Sequence, residues 1–138
     1  LAAGTDERPS PPAPRPAANA DYDAGKAAVE RGDWKAAIDL FGKVAAREPR
    51  NANAQNYLGF AHRNAGNWET AMTHYRQALS LEPNHRGANE YVGRAYLMRG
   101  NLALAEEHLG RLEKICGRGC DEYASLSRAI DEYRRNPK

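Results

Sequence analysis

The sequence predicts an all-α protein, an α-solenoid of seven helices, and three observations predict it. First, the stretches RGDWKAAIDLF, AGNWETAMTHY and RGNLALAEEHL begin at Arg31, Ala65 and Arg99, a spacing of 34 residues. Second, each carries a Gly–Asx pair: Gly32-Asp33, Gly66-Asn67 and Gly100-Asn101. Glycine suits the left-handed residue that ends a helix, and the Asx oxygen can cap the helix that follows. Third, EPRN at Glu48 and EPNH at Glu82 place Pro49 and Pro83 where a helix cannot continue.

Taken in chain order, the first segment is LAAGTDERPSPPAPRPA. It holds Pro9, Pro11, Pro12, Pro14 and Pro16, five of the eight prolines, with no apolar periodicity. Composition reads residues 1–17 as a Pro/Ala-rich disordered tether. The pattern Pro-x-x-Pro, a ligand pattern for aromatic grooves, occurs formally at Pro9–Pro12 and Pro11–Pro14. Residues 18–135 form the folded domain, with repeats 18–51, 52–85 and 86–119. The first helix of each repeat carries Ala24-Gly25, Leu58-Gly59 or Val92-Gly93. A helical glycine costs about 1 kcal/mol relative to alanine, so its recurrence points to close helix approach. The second helices carry apolar stripes at Ala37, Phe41 and Val44, then Ala71, Tyr75 and Ala78, then Ala105, Leu109 and Leu112. Tyr123, Leu126, Ser127, Ile130 and Tyr133 continue the first-helix stripe. They predict a seventh helix over 121–135 that caps the stack with a polar outer face.

These hairpins resemble the tetratricopeptide repeat, a 34-residue helix–turn–helix unit. The second repeat matches best, with Leu58-Gly59, Ala71, Tyr75, Ala78 and Pro83. Asp21, Gln55 and Asn89 depart from the family by standing at its usual Trp place, and His62 stands at its usual Tyr place. The resemblance implies a right-handed superhelix whose first helices line a concave groove, which in the family commonly holds an extended peptide or a partner helix. On that basis the groove residues are Tyr22, Lys26, Asn53, Asn56, Phe60, Arg63, Glu90, Arg94, Leu97 and Met98, with Val29 alongside. Asn53 and Asn56 would hydrogen-bond a partner backbone. Phe60, Leu97 and Met98 would offer apolar anchorage, and Lys26, Arg63 and Arg94 would offer charge. The dicarboxylate clamp of some members does not carry over. Tyr22, Tyr57, Gly87 and Tyr91 occupy its places, with only Lys26 nearby.

The third repeat replaces the proline turn with Cys116-Gly117-Arg118-Gly119-Cys120. A Cys116–Cys120 disulfide would pin the cap, with Gly117 and Gly119 permitting the dihedrals of a small ring. In the chain-entropy model it would stabilise by roughly 2 kcal/mol. It would also fit an oxidising compartment such as a bacterial periplasm. Two alternatives use the same cysteines: a redox pair whose thiol pKa is lowered by Arg118, and a metal site drawing on His108. Of the other histidines, His74 sits one period before His108, and both read as exposed second-helix positions. His62 reads as a packed histidine.

Twenty basic and eighteen acidic residues leave a formal charge of +2, which gives no electrostatic case for nucleic acid. No apolar run reaches the ~18 residues of a membrane span. No phosphate-binding glycine loop, nucleophile elbow or paired-histidine zinc motif is present. The expectation is therefore a protein without catalysis, cofactor or metal, an adaptor that binds a protein or peptide in its groove. The start at Leu1 fits export with a removed signal peptide, or an upstream membrane anchor. A redox or metal-handling accessory and a scaffold self-assembling through its uncapped N-terminal repeat are the alternatives.

Overall fold

The computed structural model describes residues 17–137. The tether reading of residues 1–17 therefore lies outside the described residues except at Ala17, which already begins a helix. Seven helices follow: α1 (Ala17–Arg31), α2 (Trp34–Arg47), α3 (Ala52–Asn64), α4 (Trp68–Leu81), α5 (Arg86–Met98), α6 (Leu102–Cys116) and α7 (Asp121–Arg135). Among the described residues there is no strand.

The tight hairpins follow from the turn chemistry. Gly32, Gly66 and Gly100 take φ of 71°, 88° and 72°, in the left-handed region that a side chain disfavours. Asp33 then accepts from the Ala36 amide at 3.2 Å, and Asn101 from the Leu104 amide at 3.1 Å. Asn67 departs from this pattern. Its side chain makes no capping bond and instead lies 3.2 Å from His62 Nδ1, because His62 puts a polar ring nitrogen within reach. Asn51 and His85 cap α3 and α5 by accepting from the Ala54 and Ala88 amides. At the last turn Gly117 adopts φ 75°, while Gly119 keeps an ordinary backbone.

Helices pair as α1–α2, α3–α4 and α5–α6, and α7 packs on both α5 and α6. The core between them is small-residue rich: Ala28, Ala37, Ala54, Ala61, Ala71, Ala78, Ala88, Ala95 and Ala105 are fully buried. Large side chains fill the gaps that the helical glycines open. A Cβ on Gly25 would meet the Phe41 ring at 2.8 Å, and one on Gly59 the Tyr75 ring at 2.6 Å. In the third unit the partner comes from α7, where Leu126 would meet a Gly93 Cβ at 2.6 Å. The cap is thus wedged into the last hairpin. No helix among the described residues is long and apolar enough to cross a membrane.

Candidate partner-binding groove

Among the hollows on the face built by α1, α3, α5 and α7, two take in the expected groove residues of several helices. The first, of about 500 Å³, lies where these helices begin and takes in Tyr22, Asn53, Asn56, Tyr57, His85, Gly87 and Tyr91. The second, of about 390 Å³, lies towards their ends, between Arg63, Arg94, Leu97 and Met98 on one side and Ala129 and Tyr133 of α7 on the other. The floor between them is aromatic. Phe60 packs on Tyr91 with ring centroids 4.7 Å apart and meets Trp34 edge-on at 5.8 Å.

Several expected groove residues take other roles. Phe60 is half-buried rather than a protruding anchor, because Trp34 and Tyr91 enclose it and the Arg63 guanidinium covers its face at 5.0 Å. Asn56 is only 5% exposed, and its Oδ1 has no hydrogen-bond partner. Glu90 and Arg94 are not free charges. Arg94 Nε donates to Glu90 Oε2 at 3.0 Å, Ser125 Oγ donates to the same oxygen at 3.0 Å, and Arg94 Nη2 reaches Ser125 Oγ. Their role is to hold α7 against α5, and Ser125 is the residue the sequence reading missed. Lys26 is exposed, 6.0 Å from the centre of the Tyr22 ring. Leu97 is half-buried against the last core cluster. Met98, 65% exposed, is the one large apolar side chain among the described residues left open to solvent.

The histidines are not exposed surface positions. His108 is buried and its Nδ1 lies 3.0 Å from Asn89 Oδ1, so it points into the core and not towards the cysteines. Burial holds its pKa down at about 4. His74 is half-buried, 2.7 Å from Gln55 Oε1, and stacks on His62 with ring centroids 5.4 Å apart. Burial lowers both of their pKa values, and the His62 charge lowers that of His74 further. Two of the three polar residues at the family's Trp place, Gln55 and Asn89, thus meet a histidine 19 residues later, His74 and His108. His85 Nδ1 accepts from the Ala88 amide, so its proton sits on Nε2, which donates to Asn53 Oδ1 at 2.5 Å. Cys116 and Cys120 are joined as a disulfide. With Glu122 they form the one group of three possible metal-ligating side chains among the described residues. Bonded to each other, the sulfurs are not thiolates and offer a metal little.

A stack of two-helix units with a continuous face defines a repeat scaffold of the kind used for interaction. The tetratricopeptide repeat model matches residues 22–79 and 61–117, and the chain belongs to that family. A comparison with curated proteins finds no match. Among solved structures the chain is similar to the second tetratricopeptide domain of human RPAP3 in complex with an HSP70 peptide. That likeness has 20% identity, covers 83% of this chain and 95% of that one, and has a TM-score of 0.71. It is also similar to the TPR2B domain of yeast Sti1 in a pHsp70 complex, with 21% identity, 84% and 91% coverage and a TM-score of 0.71. A third likeness is the Yersinia enterocolitica type III secretion chaperone SycD in complex with a peptide of the translocator YopD. Here identity is 14%, coverage 87% and 94%, and the TM-score 0.73. At these identities the likeness is one of fold.

Proposed function

We propose that the protein is a non-catalytic adaptor that holds an extended segment or helix of a protein partner against its concave face. The observation that carries this reading is Met98, an exposed thioether beside the hollow shared with Leu97, Ala129 and Tyr133. Exposed apolar area with a charged rim is a usual mark of an interaction site, and Arg63 and Glu132 supply that rim. Peptides bound by the structural neighbours support the class of partner and not its identity. Tyr22, Tyr57, Gly87 and Tyr91 in place of the clamp residues weigh against an acidic chaperone tail. We also propose an oxidising compartment such as a bacterial periplasm, on the strength of the disulfide.

The test is capture of proteins from the native source with wild type and with Met98→Glu. Met98 is largely exposed and lies outside the buried core, so the variant should keep its fold, which circular dichroism checks. Specific retention by wild type, lost in the variant, is the expected result. Identical retention by both would remove the groove end from the reading.

A further inference from the structure

The turn between α6 and α7 holds a cluster that the adaptor reading leaves unused. Cys116 is the last residue of α6, and Cys120 is the N-cap of α7. Glu122 stands in the first turn of α7. The two sulfurs and a carboxylate oxygen of Glu122 all lie within 4.8 Å of one another, and all three residues are half-buried. Glu122 is not spent on a neighbouring cation. Arg118, the turn's own, donates from Nε to Glu113 Oε1 at 3.1 Å, and no ion pair among the described residues holds Glu122.

A carboxylate in the first turn of a helix has an ordinary use, since it complements the positive end of the helix dipole. Asp121 stands in the same turn and serves that purpose equally. What sets Glu122 apart is its reach to both sulfurs. Gly117 and Gly119 keep the turn open, with nothing within 4 Å of a Cβ at either.

Joined as a disulfide, the sulfurs carry no charge for a ligand. A small dithiol changes that. It gives up two electrons and two protons, closes into its own disulfide, and leaves Cys116 and Cys120 as thiols. A divalent ion then displaces the two thiol protons to solvent and forms two metal–sulfur bonds and one metal–oxygen bond. Zinc–sulfur bonds of ~2.3 Å in a tetrahedron hold the sulfurs ~3.8 Å apart. Side chains whose Cα atoms lie 5.9 Å apart span that distance by rotation alone. Two soft thiolates beside one carboxylate select zinc and its relatives over magnesium or calcium, which take oxygen ligands. The three ligands bring three negative charges to a divalent ion. The surplus meets the start of α7, whose first amides have no side-chain cap.

We infer that Cys116, Cys120 and Glu122 form a site for a thiophilic divalent cation of the zinc class once the disulfide is reduced, with a fourth position left for water. His108, held in the core by Asn89, takes no part. Disulfide and metal exclude each other, so the redox state decides which of them closes the turn. The inference does not rest on the adaptor reading, since it does not involve the hollow around Met98.

The experiment uses the full chain, oxidised or reduced with a small dithiol that is then removed without air. Cd²⁺ is followed by its sulfur-to-metal charge-transfer band, and Zn²⁺ by its withdrawal from a chromogenic chelator. The reduced protein should take up one ion per chain, and the oxidised protein none. Cys120→Ser should abolish uptake. Outer-shell partners alone are worth about 10–100-fold in metal affinity, so Glu122→Gln should weaken binding by at least about tenfold. Asp121→Asn removes the same charge from the same turn and should weaken it by no more than about threefold. Both substitutions lie on the outer turn of α7, and circular dichroism checks that each variant folds. No uptake by the reduced protein would overturn the inference. Equal losses in Glu122→Gln and Asp121→Asn would overturn the role of Glu122 as a ligand, and one ion per two chains would overturn a site built within one molecule.

Discussion

His108 donates its Nδ1–H to Asn89 Oδ1 across 3.0 Å inside the core. The direction is fixed by Asn89, whose Nδ2 donates to the carbonyls of Pro83 at 3.1 Å and His85 at 2.8 Å, leaving only the oxygen for His108. One repeat earlier His74 and Gln55 reproduce the pair at 2.7 Å. In the first repeat Leu40 stands at the histidine place, and Asp21 there binds Arg47 instead. His108→Leu should therefore cost about 1–3 kcal/mol by stranding Asn89 Oδ1. The same change in an Asn89→Leu background should cost less, because the two residues share one bond. Urea unfolding of the four proteins measures the coupling, and equal costs in both backgrounds would deny it.

Acid should weaken the fold through these rings. His62, His74, His85 and His108 all have pKa values lowered chiefly by burial, His108 to about 4. The folded state therefore binds fewer protons than the unfolded chain, whose histidines titrate near 6.5. Their stabilising contribution is complete above that value and declines as pH falls through it, for His108 down to about 4. His62 and His74 add to the effect, since stacked rings 5.4 Å apart resist double protonation. Thermal unfolding between pH 7.5 and 4 should show a falling midpoint, with a shallower slope in His74→Gln. A midpoint unchanged over that range would contradict the linkage.

Tyr75 is fully buried and its hydroxyl has no partner. Phe41 fills the equivalent place one repeat earlier without that oxygen. Removing an unpaired buried hydroxyl while keeping the ring should stabilise, so Tyr75→Phe should gain roughly 1 kcal/mol. A loss of stability would mean that the hydroxyl is bonded in solution, and urea midpoints distinguish the cases.

The helices and their order were legible in the sequence because their signals are local. Gly32, Gly66 and Gly100 and their Asx followers carry the turn geometry within two residues. Groove side chains were legible only by their place in the repeat. Glu90 and Arg94 meet Ser125 more than 30 residues later, and no local pattern shows that α7 would use them. Asn56 lost its exposure to neighbours from other helices. The histidine pairs did leave a signal: an amide at a place that is usually aromatic, and a histidine 19 residues on, in two successive units. A polar residue at a core position asks for a polar partner in register.

Glycines of two kinds sit inside these helices, and substitution should separate them by sign. Gly59 and Gly93 have a ring and a Leu126 methyl where a Cβ would stand, each at 2.6 Å. Tyr75 and Leu126 are fully buried, so neither can swing aside without repacking. Gly59→Ala and Gly93→Ala should thus cost about 1–3 kcal/mol through overpacking, outweighing the ~1 kcal/mol that alanine contributes to a helix. Gly42 in α2 and Gly110 in α6 have nothing within 4 Å of the same atom. There the helix preference acts alone, and Gly42→Ala and Gly110→Ala should each stabilise by up to ~1 kcal/mol. Gly93→Ala carries the further consequence that it pushes on α7 specifically. Its amide hydrogen exchange should rise in α7 before it rises in α1–α4, whereas Gly59→Ala should raise exchange first in α3 and α4. Uniform exchange in both variants would show that the cap and the hairpins open as one unit, and that the Gly93–Leu126 contact is not what seats the cap.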